Sequence, residues 1–228
     1  MRRSILWGVI AASWLVSTAV AQSGTIVIAV LPFVDRGSYG QDKEVFRALQ
    51  VGIPAVLTAE LAKNSRVRIA DRGRVAQALK AENLAQDARA DAATAARVGA
   101  AAGARYAVTG NFADFYGKFR VDARIVDAGS GQILKVVSNN DPNLQDRADL
   151  SRIIANLAEK VLAAVNLPPA AASPARAPVV PAEAMTQYSL GLLYENEGDK
   201  TKAGEHYQRA LSAFPEYAEA REGMQRVR

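Results

Sequence analysis

Seven consecutive residues, Thr25-Ile26-Val27-Ile28-Ala29-Val30-Leu31, are apolar or β-branched, and the run stops at Pro32. A strand with one wet face alternates apolar and polar side chains. An unbroken apolar run of this length reads instead as a strand buried on both faces, inside a sheet that helices cover. The chain must therefore contain a layered α/β unit, and everything after Leu31 has to supply the layers.

The pattern downstream does so. From Lys43, the apolar positions Phe46, Leu49, Ile53, Val56, Leu57 and Leu61 recur at spacings of three and four and predict a helix. Gly52 and Pro54 predict a kink or restart within it. Val67 and Ile69 alternate with Arg66 and Arg68 as a short strand. Asp71 is placed to cap the next helix, which carries Val75 and Leu79, and Asp91 to cap an alanine-rich one ending near Gly103. Tyr106 to Phe115 and Lys118 to Asp127 read as strands. Gly129-Ser130-Gly131 is a tight turn into a return strand, Gln132 to Ser138. Leu150, Ile153, Ile154, Leu157, Val161 and Val165 form a helical stripe. The order β-α-β-α-α-β-β-β-α predicts a mixed sheet with flanking helices over residues 22–167.

The start of the chain has a different character. Arg2 and Arg3 precede an apolar stretch from Ile5 to Val16, and Ala19-Val20-Ala21 fits a small-residue cleavage site. A membrane-spanning helix needs about 20 apolar residues, and this one is shorter and interrupted by Ser13, Ser17 and Thr18. Residues 1–21 are expected to be a cleaved signal peptide, placing the protein in the periplasm. The sequence contains no cysteine, so lipid attachment through an N-terminal cysteine, disulfides and thiolate metal sites are excluded. Without Arg2 and Arg3, 26 basic side chains face 23 acidic ones. No basic run marks a nucleic-acid face, and no nucleic-acid partner is expected.

From Leu167 to Ala182, five prolines sit among alanines, which predicts an extended linker over residues 168–182. Residues 183–228 are expected to form a small all-α module. Leu190-Gly191, Tyr194, Ala203, Tyr207, Ala210 and Pro215 resemble the tetratricopeptide repeat at its expected offsets, with Gly198-Asp199 as the turn. Gln187 departs from the pattern, with Tyr188 one residue later. A single repeat cannot bury its own faces, since about three are normally needed. The resemblance thus implies self-association or docking through a groove formed by Met185, Tyr188, Leu192 and Glu195.

The first domain resembles the curli-assembly CsgG family. The resemblance rests on Ile28-Ala29-Val30-Leu31-Pro32-Phe33, Leu57-Thr58-Ala59-Glu60-Leu61, Val67-Arg68-Ile69-Ala70-Asp71-Arg72, Gly103 to Gly110, and Val121 to Ala128 with its glycine turn. The same core is similar to those of the TolB amino-terminal domain, FlgO-like proteins and penicillin-binding-protein activators. Pore-forming members are typically lipoproteins with long membrane hairpins. This chain has no cysteine, and its connections are short, whereas each membrane strand would need about 9–11 residues.

Catalytic chemistry is hard to assemble from these residues. The single histidine, His206, falls within a predicted helix and reads as solvated, and no zinc set can be built around it. No phosphate-binding glycine loop appears. Asp35 and Asp71 lie near strand ends, where α/β folds bind ligands, but capping and loop solvation account for both. Asp122 and Arg124 share a strand face and read as a surface pair. The expected function is a non-enzymatic periplasmic scaffold or accessory protein for envelope assembly or secretion, with no cofactor and no metal. Its partners would be envelope proteins, or copies of itself, with possible outer-membrane association. The alternative is a subunit of a curli-type outer-membrane channel.

Overall fold

The structure, a computed structural model, describes residues 24–83, 90–139, 145–170 and 179–228. The expected signal peptide and most of the linker lie outside the described residues. Six strands form one sheet in the order β2-β1-β3-β4-β5, with a short β6 also pairing to β4. The strands are β1 (Ile26–Asp35), β2 (Val67–Ile69), β3 (Tyr106–Phe115), β4 (Lys118–Asp127), β5 (Ile133–Ser138) and β6 (Gln145–Asp146). β2, β1 and β3 run parallel, and β3, β4 and β5 antiparallel. This is the mixed sheet the sequence predicts.

Helices cover both faces of the central strand, as its composition requires. Ile28 and Phe33 enter one core with α1 (Lys43–Ala62) and α4 (Leu150–Ala164), while Ala29 and Leu31 enter the other with α2 (Arg72–Ala81) and α3 (Ala92–Ala101). Asp71 and Asp91 cap α2 and α3, accepting from the amides of Arg74 at 2.9 Å and Thr94 at 2.7 Å. Gly103 has φ +73°, the left-handed conformation that ends α3. The predicted stripe on α4 is fully buried.

Three local expectations are corrected. β1 does not end at Pro32 but continues to Asp35, because the β1–β3 register shifts between Val30 and Phe33. A bulge leaves a residue unpaired, so a proline with no N–H is tolerated there. α1 is one continuous helix through Gly52 and Pro54. Asp122 pairs with Arg120, at 3.3 Å, rather than with Arg124.

The C-terminal helices are α5 (Ala182–Glu197), α6 (Lys200–Ala213) and α7 (Ala218–Val227). They were expected to stand apart as a separate hairpin, but they lie against α1. Gly52 of α1 meets α5 so closely that a Cβ there would fall 1.9 Å from Ser189 Oγ and 3.3 Å from its Cα. Ala48 and Val51 of α1 pack with Leu190 and Leu193 of α5. α1 is thus buried on its sheet side and again on its outer side, which explains its nearly all-round apolar sequence. It is long and apolar enough to cross a membrane, and half of that apolar window is buried in the fold instead. The linker ends are also fastened. Asn64 Nδ2 donates to the Pro168 carbonyl and Ser151 Oγ to the Val180 carbonyl, both at 2.8 Å.

Within the helical layer, the Tyr207 ring fills the space left by two glycines. A Cβ at Gly191 or at Gly223 would sit 2.5 Å from it. The Tyr207 hydroxyl donates to Glu195, which also takes a bidentate pair from Arg226 at 2.8 and 3.0 Å. One carboxylate therefore ties α5, α6 and α7 together. Burial raises the Glu195 pKa, but the hydrogen bonds from Arg226 and Tyr207 outweigh it and hold the carboxyl below its ordinary range.

Two outcomes are expected. Gly52→Val should destabilise the whole chain by about 1–3 kcal/mol, seen in urea unfolding as one transition moved to lower denaturant. A second, separately melting C-terminal transition would contradict the packing. Because the Glu195 pKa is depressed on folding, its contribution is complete above the ordinary glutamate value of about 4.3 and is lost as pH falls through its own lower value. Arg226→Met should flatten that part of the acid limb of a stability–pH curve.

Candidate functional site

The residues proposed for a docking groove are already occupied. Met185, Tyr188 and Leu192 are buried in the main core, and Glu195 is held by Arg226 and Tyr207. The open groove expected from sequence is filled by this chain's own helices, because α5 lies between α1 and α6. His206 is half-buried rather than solvated. It stacks on Tyr194 and contacts the Gln187 side chain at 2.7 Å, and burial lowers its pKa below the ordinary histidine value. Asp35 and Asp71 do not form a pocket pair. Each accepts from a nearby turn amide, Ser38 and Arg74 respectively, at 2.9 Å.

A different site emerges at the far end of β3. After β1, the chain runs on beside β3, with the Tyr39 amide donating to the Asp114 carbonyl at 2.7 Å and Tyr39 bridging to Phe115. β3 and β4 are joined by a two-residue turn, Tyr116-Gly117, with φ values of +54° and +86°. Two positive φ values define the turn type that matches sheet twist, and asparagine-glycine is its preferred pair. A tyrosine in the left-handed region is costly, by about 1–2 kcal/mol. Its ring recovers little of that by burial, being 84% exposed. Tyr39, itself 59% exposed, stacks on both Phe115 (centroids 5.9 Å apart) and Tyr116 (6.5 Å).

Behind these rings lies a cleft of about 330 Å³, lined among others by Tyr39, Asp42, Phe46, Asp114, Tyr116 and Arg147. Asp114 is almost completely buried. Its Oδ1 accepts from the Gly117 amide at 2.6 Å, which holds the turn. Arg147 follows β6, and the Arg147 amide donates to the Gly117 carbonyl at 2.7 Å. The Arg147 guanidinium reaches Asp114 Oδ2 at 2.9 Å and Asp42 at 3.2 Å. No donor meets Asp114 Oδ2 in hydrogen-bonding geometry among the described residues, so its pairing with Arg147 is electrostatic.

Sequence reasoning missed this site because its parts are far apart in the chain and bland one by one. The one legible signal was Tyr116-Gly117 between two strand patterns, a turn with the wrong first residue.

Comparison with known proteins gives one family. The model described as peptidoglycan-synthase activator LpoB matches residues 53–124, a span of 72 residues out of 228. This finding corrects the CsgG-family and tetratricopeptide readings. The stretches behind the first are strand-and-turn sequences common to cores of this architecture. The small residues behind the second are what any closely packed helix pair requires, as Gly191 against Tyr207 shows. No curated protein sequence matches the chain.

Among solved structures, the LpoB C-terminal domain from Salmonella enterica is 14% identical, covering 53% of this chain and 84% of that one, with TM-score 0.35. TolB from Acinetobacter baumannii is 19% identical, covering 62% and 27%, with TM-score 0.36. The PelC dodecamer from Paraburkholderia phytofirmans is 16% identical, covering 64% and 89%, also with TM-score 0.36.

Because Tyr116 trades stability for exposure, Tyr116→Asn should stabilise the fold by about 1 kcal/mol. Chemical denaturation should show a higher midpoint with an unchanged slope. A lower midpoint would mean that the ring contributes packing that outweighs its backbone cost. The chain is, over residues 53–124, similar to the peptidoglycan-synthase activators.

Proposed function

We propose that this chain is a non-enzymatic accessory protein of the cell envelope that binds a peptidoglycan synthase and activates it. The family match over residues 53–124 carries this reading. The matched span runs from the middle of α1 through most of β4, and so includes Asp114 and the Tyr116-Gly117 turn. An activator of this kind acts by contact, so what it needs is a presented surface on a rigid scaffold rather than a reactive group. The exposed aromatic end of the β3–β4 hairpin is such a surface. If the export signal read at residues 1–21 acts as such, the chain would meet the synthase in the periplasm.

The test is reconstitution. The purified chain is added to each peptidoglycan synthase of its own envelope, and glycan polymerisation and cross-linking are followed. The expected result is a faster reaction with at least one synthase, saturating as the chain is titrated, and retention of that synthase on the immobilised chain. Unchanged rates and no retention across all of them would overturn the proposal.

A further inference from the structure

We propose that the cleft behind Tyr39 and Tyr116 takes a basic side chain, most simply an arginine, presented by a loop of the protein partner. The inference rests on the accessory-protein reading above for the partner's being a protein, and on the cleft's own chemistry for what enters it.

Charge comes first. Two carboxylates, Asp42 and Asp114, face one guanidinium, Arg147. Lys118, the next cation along the hairpin, is engaged by Asp146 at 3.5 Å. The lining thus carries an excess of one negative charge. An acidic ligand would meet a guanidinium already neutralised twice, whereas a cation would meet an uncompensated carboxylate.

Shape and polarisability point the same way. Tyr39 and Tyr116 present aromatic faces at the mouth, where a guanidinium gains from the ring quadrupole while its planar fork bonds a carboxylate. Asp114 is buried, with its oxygens turned to the Gly117 amide and to Arg147, whereas the Asp42 side chain, 3.2 Å from Arg147, is about half exposed and open to a second cation. A second guanidinium entering over Tyr116 would share Asp42 with Arg147. The cost of holding Tyr116 in a left-handed turn, unrewarded in the free chain, is then offset in the complex.

The experiment uses amide NMR on the isotopically labelled chain, titrated with N-acetyl-arginine amide. The neutral isostere N-acetyl-citrulline amide and an N-acetylglucosamine trisaccharide serve as the other probes. The arginine probe should shift the Tyr39, Gly40, Tyr116 and Gly117 amides saturably, and the citrulline probe should bind at least about fivefold more weakly. Asp42→Asn and Tyr116→Asn should each abolish the response. Both sites are exposed, and the second variant is expected to be more stable than the parent, so loss of folding does not confuse the result. Equal binding of arginine and citrulline, or shifts at these amides caused by the trisaccharide alone, would overturn the proposal.

The same variants are then tested for retention of the synthase. Retention of the synthase by the parent and by both variants alike would sink the cleft while leaving the activator reading intact. If even the parent retains no synthase, the activator reading fails, and the probe titration still decides what the cleft binds.

Discussion

The contact of α1 with α5 at Gly52 and Ser189 is the constraint on which the rest of the molecule hangs. A helix apolar on nearly all sides needs partners on more than one side. α1 meets the sheet side of the core through its Ile53, Leu57 and Leu61, and meets Leu190 and Leu193 of α5 through its Ala48 and Val51. Only a glycine on α1 lets the helices approach this closely. Once α5 is fixed, Tyr207 and Arg226 follow through Glu195, and the C-terminal helices become an outer layer of one fold. The layer braces α1, and α1 in turn covers the face of the sheet that carries Phe33 and Phe119.

The far end of the sheet is organised by a single buried carboxylate. Asp114 holds the turn amide of Gly117 with one oxygen and faces Arg147 with the other. Burying a charge is costly unless it is paired, so Arg147 is drawn to this point, and β6 delivers it there. The same arrangement sets Tyr116 outward beside the cleft, where Tyr39 stacks on both it and Phe115. Backbone economy would place asparagine at that turn. The tyrosine found there, with the cleft and its unequal charges, is why the proposed partner contact is placed at this end of the hairpin.

Much of this fold was legible in the residues. β3 and β4 have the predicted bounds, and the caps at Asp71 and Asp91 and the stripe on α4 are as periodicity and capping chemistry require. What escaped were features that depend on neighbours. Pro32 looked like a strand end, but a bulge opposite β3 accommodates it. Met185, Tyr188 and Leu192 looked like a groove because what covers them is set by tertiary packing, with Tyr207 and Tyr217 against Tyr188 and Ser151 of α4 against Met185. The cleft escaped altogether, since Tyr39, the Asp114–Tyr116 hairpin end and Arg147 come from three segments with no common pattern.

By itself, the sequence determined that a doubly covered strand begins the folded unit and that helices alternate with strands around it. It also determined that no thiol or multi-histidine chemistry is available. These are consequences of local periodicity and composition, which act between residues close in the chain. The tertiary structure alone decided that the C-terminal helices close over α1. It also decided that three of the four predicted docking residues, Met185, Tyr188 and Leu192, become core, and that a buried aspartate gathers an arginine and exposed tyrosines into one cleft. Those outcomes depend on which surfaces meet at distances of a few ångströms, and chain separation carries no information about that.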